Sequence, residues 1–337
     1  MRGAVVNALR ERVMSVSRRG TALVALAVAV AGALTVTGTR LAASQEPVLV
    51  AMKTGDEVPV REPWDPFWSS VPALDVALSA QQSVPPMGGR RLTIEARAVN
   101  DGENLYVAVE WADPRPDRSV GATQDFTDAV AVQFPASGAI QVPAFCMGDP
   151  TASVNIWQWR AAWQADVVRG FQGDETTLHP NGYVDMYPFE GDDTFLTGRA
   201  AGNPFSVLDR ASPVDNLVAI GNGSLTADPT PLVDGWGEWR DGRWRVVFAR
   251  PLSVGREGNV DLAPDDFTDV AFAVWDGAAE ERNGRKSVAA FMALDVSKQQ
   301  LGDGGGQALW PLAYLGIAVL WGGFAWMLIG GFRKERA

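Results

Sequence analysis

The chain is poor in the side chains that most often bind metals or break bonds. Among 337 residues there is one cysteine, Cys146, and one histidine, His179. An intrachain disulfide needs two thiols and a cysteine-held iron–sulfur cluster needs several, so this sequence supplies neither. Cys-x-x-Cys-His is absent, and so is any four-ligand zinc pattern. A Ser-His-Asp triad could draw only on His179, and no Gly-x-Ser-x-Gly motif marks a nucleophile, which ranks hydrolysis last among the possible activities. Lysine is scarce as well: Lys53, Lys286, Lys298 and Lys334 stand against 25 arginines.

What is there is the composition of a folded protein, 47% apolar and 20% charged, with 35 Gly, 21 Pro and 13 Trp. Two long uncharged runs frame it. Residues 20–39 follow Arg2, Arg10, Arg12, Arg18 and Arg19, so residues 1–43 read as a signal peptide or an N-terminal membrane anchor. Residues 308–332 are uncharged over 25 positions, with Trp310, Tyr314 and Trp326 toward the ends and Arg333-Lys334-Glu335-Arg336 directly after. That pattern predicts a transmembrane helix with a cytoplasmic tail at 333–337, because length, aromatic anchors and a basic stop coincide. Both basic flanks stay cytoplasmic under the positive-inside rule, which puts the intervening region on the outer, extracytoplasmic face of the cell membrane. Over residues 44–304, 20 basic residues face 38 acidic ones, a net charge of −18 that repels nucleic-acid phosphates and suits a basic partner.

The region 44–304 reads as one all-β domain, mainly an antiparallel β-sandwich with irregular loops. Alternation over Arg91–Ala98, a turn at Asn100-Asp101-Gly102 and the run Leu105–Trp111 predict a hairpin. Further strands are expected over Ala129–Phe134, Trp244–Ala249, Val270–Trp275 and Val288–Leu294, each bounded by Gly, Pro or Asp. The stretch Asp125-Phe126-Thr127-Asp128 before one strand is echoed by Asp266-Phe267-Thr268-Asp269 before another. Residues 170–239 are rich in Gly, Asp, Pro and Asn and are expected to form a long insertion. Within it the loop Glu190-Gly191-Asp192-Asp193 has too few ordered ligands to favour calcium over plain solvation.

Two residues carry a choice of readings. Met147 sits just before a Gly148-Asp149-Pro150 turn, where a thioether either fills a core gap or faces a pocket. Lys286 follows Asn283-Gly284-Arg285 and precedes an apolar strand; it is either a solvated charge or an amine that sheds its proton to bind a metal, which a guanidinium almost never does.

The blocks Gln133-Phe134-Pro135, Pro143-Ala144-Phe145-Cys146-Met147-Gly148-Asp149 and Val154-Asn155-Ile156-Trp157-Gln158-Trp159, joined to Gly284-Arg285-Lys286-Ser287, resemble one family. It is that of the haem-binding γ subunits of ethylbenzene dehydrogenase and its type II dimethyl-sulfoxide-reductase-like relatives. Trp64-Asp65-Pro66-Phe67-Trp68 and Val109-Glu110-Trp111-Ala112-Asp113 look similar too, and the resemblance covers most of residues 50–300. It implies one non-covalent haem b per chain, with Met147 and Lys286 as the axial iron ligands and Phe145, Trp157 and Trp159 as candidates to pack on the porphyrin. It also implies an electron-transfer subunit and not an enzyme in itself, working beside a molybdopterin catalytic subunit and an iron–sulfur subunit, with quinone or a cytochrome as a further redox partner. The long 170–239 stretch and the C-terminal helix depart from the family pattern. The competing reading is a membrane-tethered carbohydrate-binding sandwich without haem, using tryptophans as a stacking platform.

Overall fold

Period-2 patterning gives strands along most of the chain in the computed structural model, which describes residues 47–138, 142–144, 147–170, 179–181, 197–203, 206–207, 210–228, 230 and 232–302. In chain order the strands are β1 (Val48–Lys53), β2 (Leu74–Ala80), β3 (Leu92–Asn100), β4 (Asn104–Ala112), β5 (Ala129–Pro135), β6 (Val154–Arg160) and β7 (Val214–Ala219). They continue with β8 (Thr226–Ala227), β9 (Asp234–Arg240), β10 (Arg243–Pro251), β11 (Phe267–Trp275), β12 (Ser287–Val288) and β13 (Met292–Gln300). One half runs β8-β7-β6-β5-β11 and the other β2-β3-β4-β10-β9, with β12 bridging β11 and β2. β11 belongs to both halves: Phe267–Val270 pair with β13, and Ala271–Trp275 pair with β5. Among the described residues only β1 pairs in parallel, with β13 and β3; the remaining ladders are antiparallel.

The two halves bury their inner faces against each other. Val130, Val132, Trp157 and Trp159 come from one side, Trp111, Trp244, Val246 and Phe248 from the other, and all are at most 1% exposed. Trp159 meets Trp244 edge-on at 5.0 Å between ring centroids. Burying each such ring stabilises the fold by roughly 1.5–3 kcal/mol, which makes this double layer the main source of stability.

The expected hairpin is β3–β4. Its turn is built by Asp101, whose carboxylate accepts from Glu103 N at 2.8 Å and Asn104 N at 2.6 Å, with Gly102 at φ +97°. The echoed Asp-Phe-Thr-Asp stretches lead into β5 and β11, which are antiparallel neighbours. The strand expected over Val288–Leu294 is two strands instead, β12 and β13, because the chain must leave β11's β5-paired end before it can return to β11's other end. The 170–239 stretch contributes three sheet strands, β7, β8 and β9. Gly235 and Gly237 give β9 no apolar signature, yet glycine is required there: a Cβ on Gly237 would lie 2.4 Å from the Trp159 ring. The Trp-rich lead-in forms a short helix, Pro66–Ser70, capped by Asp65 and anchored by fully buried Trp68. The runs 20–39 and 308–332, the 333–337 tail and the Glu190–Asp193 loop lie outside the described residues. No helix among the described residues is long and apolar enough to cross a membrane.

Candidate cofactor-binding site

Alternation along β5, β6 and β11 sends bulky residues into the core and small ones outward. The outer face of this half carries Ala129, Ala131, Ile156, Leu217, Ala273 and Trp275, an apolar cluster separate from the core and packed by Met147. Alanines on adjacent strands leave a flat floor. Over it lies a cavity of about 240 Å³. Met147 and Lys286, far apart in sequence, both line it, together with Gln133, Gln158 and Arg160.

Met147 is set by its backbone. It adopts φ 75° and is followed by Gly148 at φ 74°, a pair of left-handed residues that reverses the chain. A non-glycine residue in that conformation costs roughly 1–2 kcal/mol, so neighbours must hold it. Gly221 N donates to the Met147 carbonyl at 2.9 Å, and Asp149 and Ala152 exchange backbone hydrogen bonds at 3.1 Å. At the next position only glycine fits, since a Cβ on Gly148 would lie 2.8 Å from the Ala152 carbonyl oxygen.

Lys286 is pinned from two sides. Its carbonyl accepts from Gln81 N at 3.0 Å, and Gln81 Nε2 donates to the Gly284 carbonyl at 2.9 Å. Gly89, at φ +106°, passes so close that a Cβ there would sit 2.1 Å from the Lys286 oxygen. Trp275 Nε1 donates to the Asn283 carbonyl at 3.1 Å, tying the same turn to β11. Lys286 is 9% exposed, with Nζ 5.1 Å from the centre of the Trp275 ring, an arrangement that favours a cation through the ring quadrupole. At the far wall Arg160 donates to Gln158 Oε1 at 3.3 Å and lies 4.5 Å over Trp163, whose ring is also approached by Arg210 at 4.4 Å. Burial pulls the Arg160 guanidinium down to about 10, which leaves it charged at neutral pH.

Trp157 and Trp159 do not reach this cavity, and the expectation that they pack on a cofactor is corrected. Both are 0% exposed on the inner face of β6; Trp157 Nε1 donates to Asn155 Oδ1 at 3.0 Å and Trp159 Nε1 to Gln164 Oε1 at 2.8 Å. The reason is parity: residues 156, 158 and 160 face outward, so 157 and 159 face in. Phe145 and Cys146 lie outside the described residues. His179 is exposed. Trp275 and Arg160 were missed by motif reading, although counting in twos from Ile156 reaches Arg160.

The all-β sandwich thus carries an apolar, alanine-floored cavity lined by one thioether and one amine. The ethylbenzene dehydrogenase family model matches residues 65–287, and the chain belongs to that family. It is 28% identical, over 89% of its own length and 92% of the relative's, to a Haloferax mediterranei protein named as a respiratory nitrate reductase heme subunit. Against the dimethylsulfide dehydrogenase subunit gamma of Rhodovulum sulfidophilum identity is 29%, covering 74% of this chain and 80% of the other. Against the chlorate reductase subunit gamma of Ideonella dechloratans it is 29%, covering 58% and 61%. Among solved structures, a family 9 carbohydrate binding module from Caldicellulosiruptor kristjanssonii in complex with glucose superposes with a TM-score of 0.35 at 10% identity, over 75% of this chain and 97% of that one.

Proposed function

We propose that this chain is the haem b-binding electron-transfer subunit of a membrane-associated molybdoenzyme complex, with Met147 Sδ and Lys286 Nζ as the iron ligands. The observation that carries the reading is that these two side chains, brought by separate turns, line one cavity over a flat apolar floor. Family membership and the names of its relatives, a heme subunit and two gamma subunits, support it. The donor set fits the group: a neutral sulfur and an amine for the metal, alanines for the ring plane, and Arg160 for the carboxylates of the ring's edge. A haem held by Met147 and Lys286 would supply one-electron transfer. The chain's own work is to exclude water from the ring, to hold the thioether by the strained Met147–Gly148 turn, and to present an amine from which ligation displaces a proton.

Catalysis then falls to a molybdopterin subunit, with an iron–sulfur subunit between, and quinone or a cytochrome takes or gives the electron. The basic flanks of the two hydrophobic runs support an outer-face location with the C-terminus cytoplasmic.

The test is the reduced-minus-oxidised visible spectrum of the full-length chain, with a pyridine haemochrome assay. A b-type spectrum at one haem per chain is expected, and Met147→Ala or Lys286→Ala should lose the haem or shift its bands. Colourless protein from haem-replete cells would overturn the proposal and leave the carbohydrate-binding reading, to be pursued by glycan screening.

A further inference from the structure

Where β4 ends and β5 begins, and where β11 ends beside them, the chain places three aspartates: Asp113, Asp128 and Asp276. They are 1%, 0% and 4% exposed, and a carboxylate oxygen from each lies within 4.8 Å of one from both others. None of them lines the cavity above.

The surroundings leave this charge undercompensated. Asp128 accepts from Asp117 N at 2.7 Å, Gly277 N at 2.9 Å and Trp244 Nε1 at 3.0 Å. Asp276 is paired with Arg90 and accepts from Ala279 N at 3.2 Å. Asp113 Oδ1 accepts from Arg115 N at 3.1 Å, but Asp113 Oδ2 is buried with no donor, and so is Asp117 Oδ2. Glu281, 5% exposed, adds a fifth acid by accepting from Asp276 N at 2.9 Å. Among the described residues Arg90 pairs with Asp276 and Arg115 with Asp117, while Arg118 and Arg285 act only at longer range. Among the described residues Asp113, Asp128 and Glu281 are therefore buried without an ion pair. A buried carboxylate oxygen lacking a partner costs about 1–3 kcal/mol or more, and several like charges cannot stay ionised together out of water.

We infer that Asp113, Asp128 and Asp276 form a second, structural site for a divalent cation with oxygen preference, calcium by its tolerance of irregular cages. Three carboxylate oxygens within 4.8 Å of one another are close enough to share one cation at bonds of about 2.4 Å, and Asp113 Oδ2 has no donor of its own. The competing arrangement is a proton shared by Asp113 and Asp128 while Arg90 neutralises Asp276. The all-oxygen donor set, with neither His nor Cys, points away from zinc or copper.

The test uses the full-length chain stripped with a chelating resin. Terbium luminescence sensitised through Trp244, which touches Asp128, should saturate at one ion per chain and be displaced by calcium. Calcium should raise the midpoint of thermal unfolding, and Asp113→Asn, which keeps the shape, should weaken calcium binding at least tenfold. If the stripped chain binds no terbium and unfolds identically with and without calcium, the inference is wrong and the cluster holds a proton. Equal calcium response in the Asp113→Asn variant would also overturn it. The result is independent of haem, because Lys286→Ala leaves these aspartates untouched.

Discussion

Met147 combines two roles that substitution can separate. Its side chain offers sulfur, while its φ of 75° is a conformation glycine adopts freely. Met147→Gly should therefore keep or slightly raise the unfolding midpoint while abolishing the parent haem spectrum, read by denaturation and absorbance on one sample. Trp157 gives the converse case. Trp157→Phe removes the donor to buried Asn155 Oδ1 and part of a core ring, lowering stability by about 1–3 kcal/mol in chemical denaturation, yet the visible bands should not move. A shift in the bands would put Trp157 back against the ring.

At the level of strands, the most instructive element is β9. Its glycines hide it from any count of apolar residues, and they exist because Trp159 occupies the space a side chain would take. Gly237→Ala should cost about 1–3 kcal/mol by overpacking, visible as a lower unfolding midpoint, and Trp159→Phe in the same chain should recover part of it. β3 was legible from its alternation, one face meeting the core and the other polar neighbours, whereas β4, β5 and β10 were legible as β-branched and aromatic runs bounded by Gly, Pro or Asp. β6 is buried along six of its seven positions, so its parity could not be read from polarity and the sequence did not decide whether its tryptophans pack on a cofactor or in the core. Met147 and Lys286 stood out through their turn context and the scarcity of lysine, but composition and period alone left each of them with an ordinary structural explanation, and only the family motifs favoured the ligand reading.

Over the molecule as a whole, acid stability should depend on the charged lattice that crosses β3, β4 and β10. Glu110, 5% exposed, accepts from Arg245 Nε at 2.9 Å and is flanked by Arg243 and Arg97, with Trp64 lying 4.1 Å from the Arg245 guanidinium. Burial would raise the Glu110 carboxyl, but the hydrogen bonds from Arg245 and Arg243 outweigh it and hold the group below the ordinary glutamate value. A folded-state value below the unfolded one means that the unfolded chain binds more protons. This contribution is full above pH 4.5 and is lost as the pH falls through the folded value. Glu110→Ala, which strands Arg245, should lower stability by about 3–5 kcal/mol at neutral pH and flatten the acid limb of a stability–pH curve. The overall fold was legible as an all-β sandwich because its core tryptophans and β-branched runs outnumber every helical period. The buried acids were not, since no spacing along the chain announces that three strand ends will meet.

The shortage of lysine has a practical consequence. Between the two hydrophobic runs only Lys53, Lys286 and Lys298 carry amines, the Lys298 side chain is 62% exposed, and Lys286 is turned into the cavity. A small acylating reagent followed by mass spectrometry should thus label Lys298 at once. Lys286 should be labelled only when nothing occupies the cavity, so that a single peptide reports how much of a purified sample is loaded, without any spectrum at all.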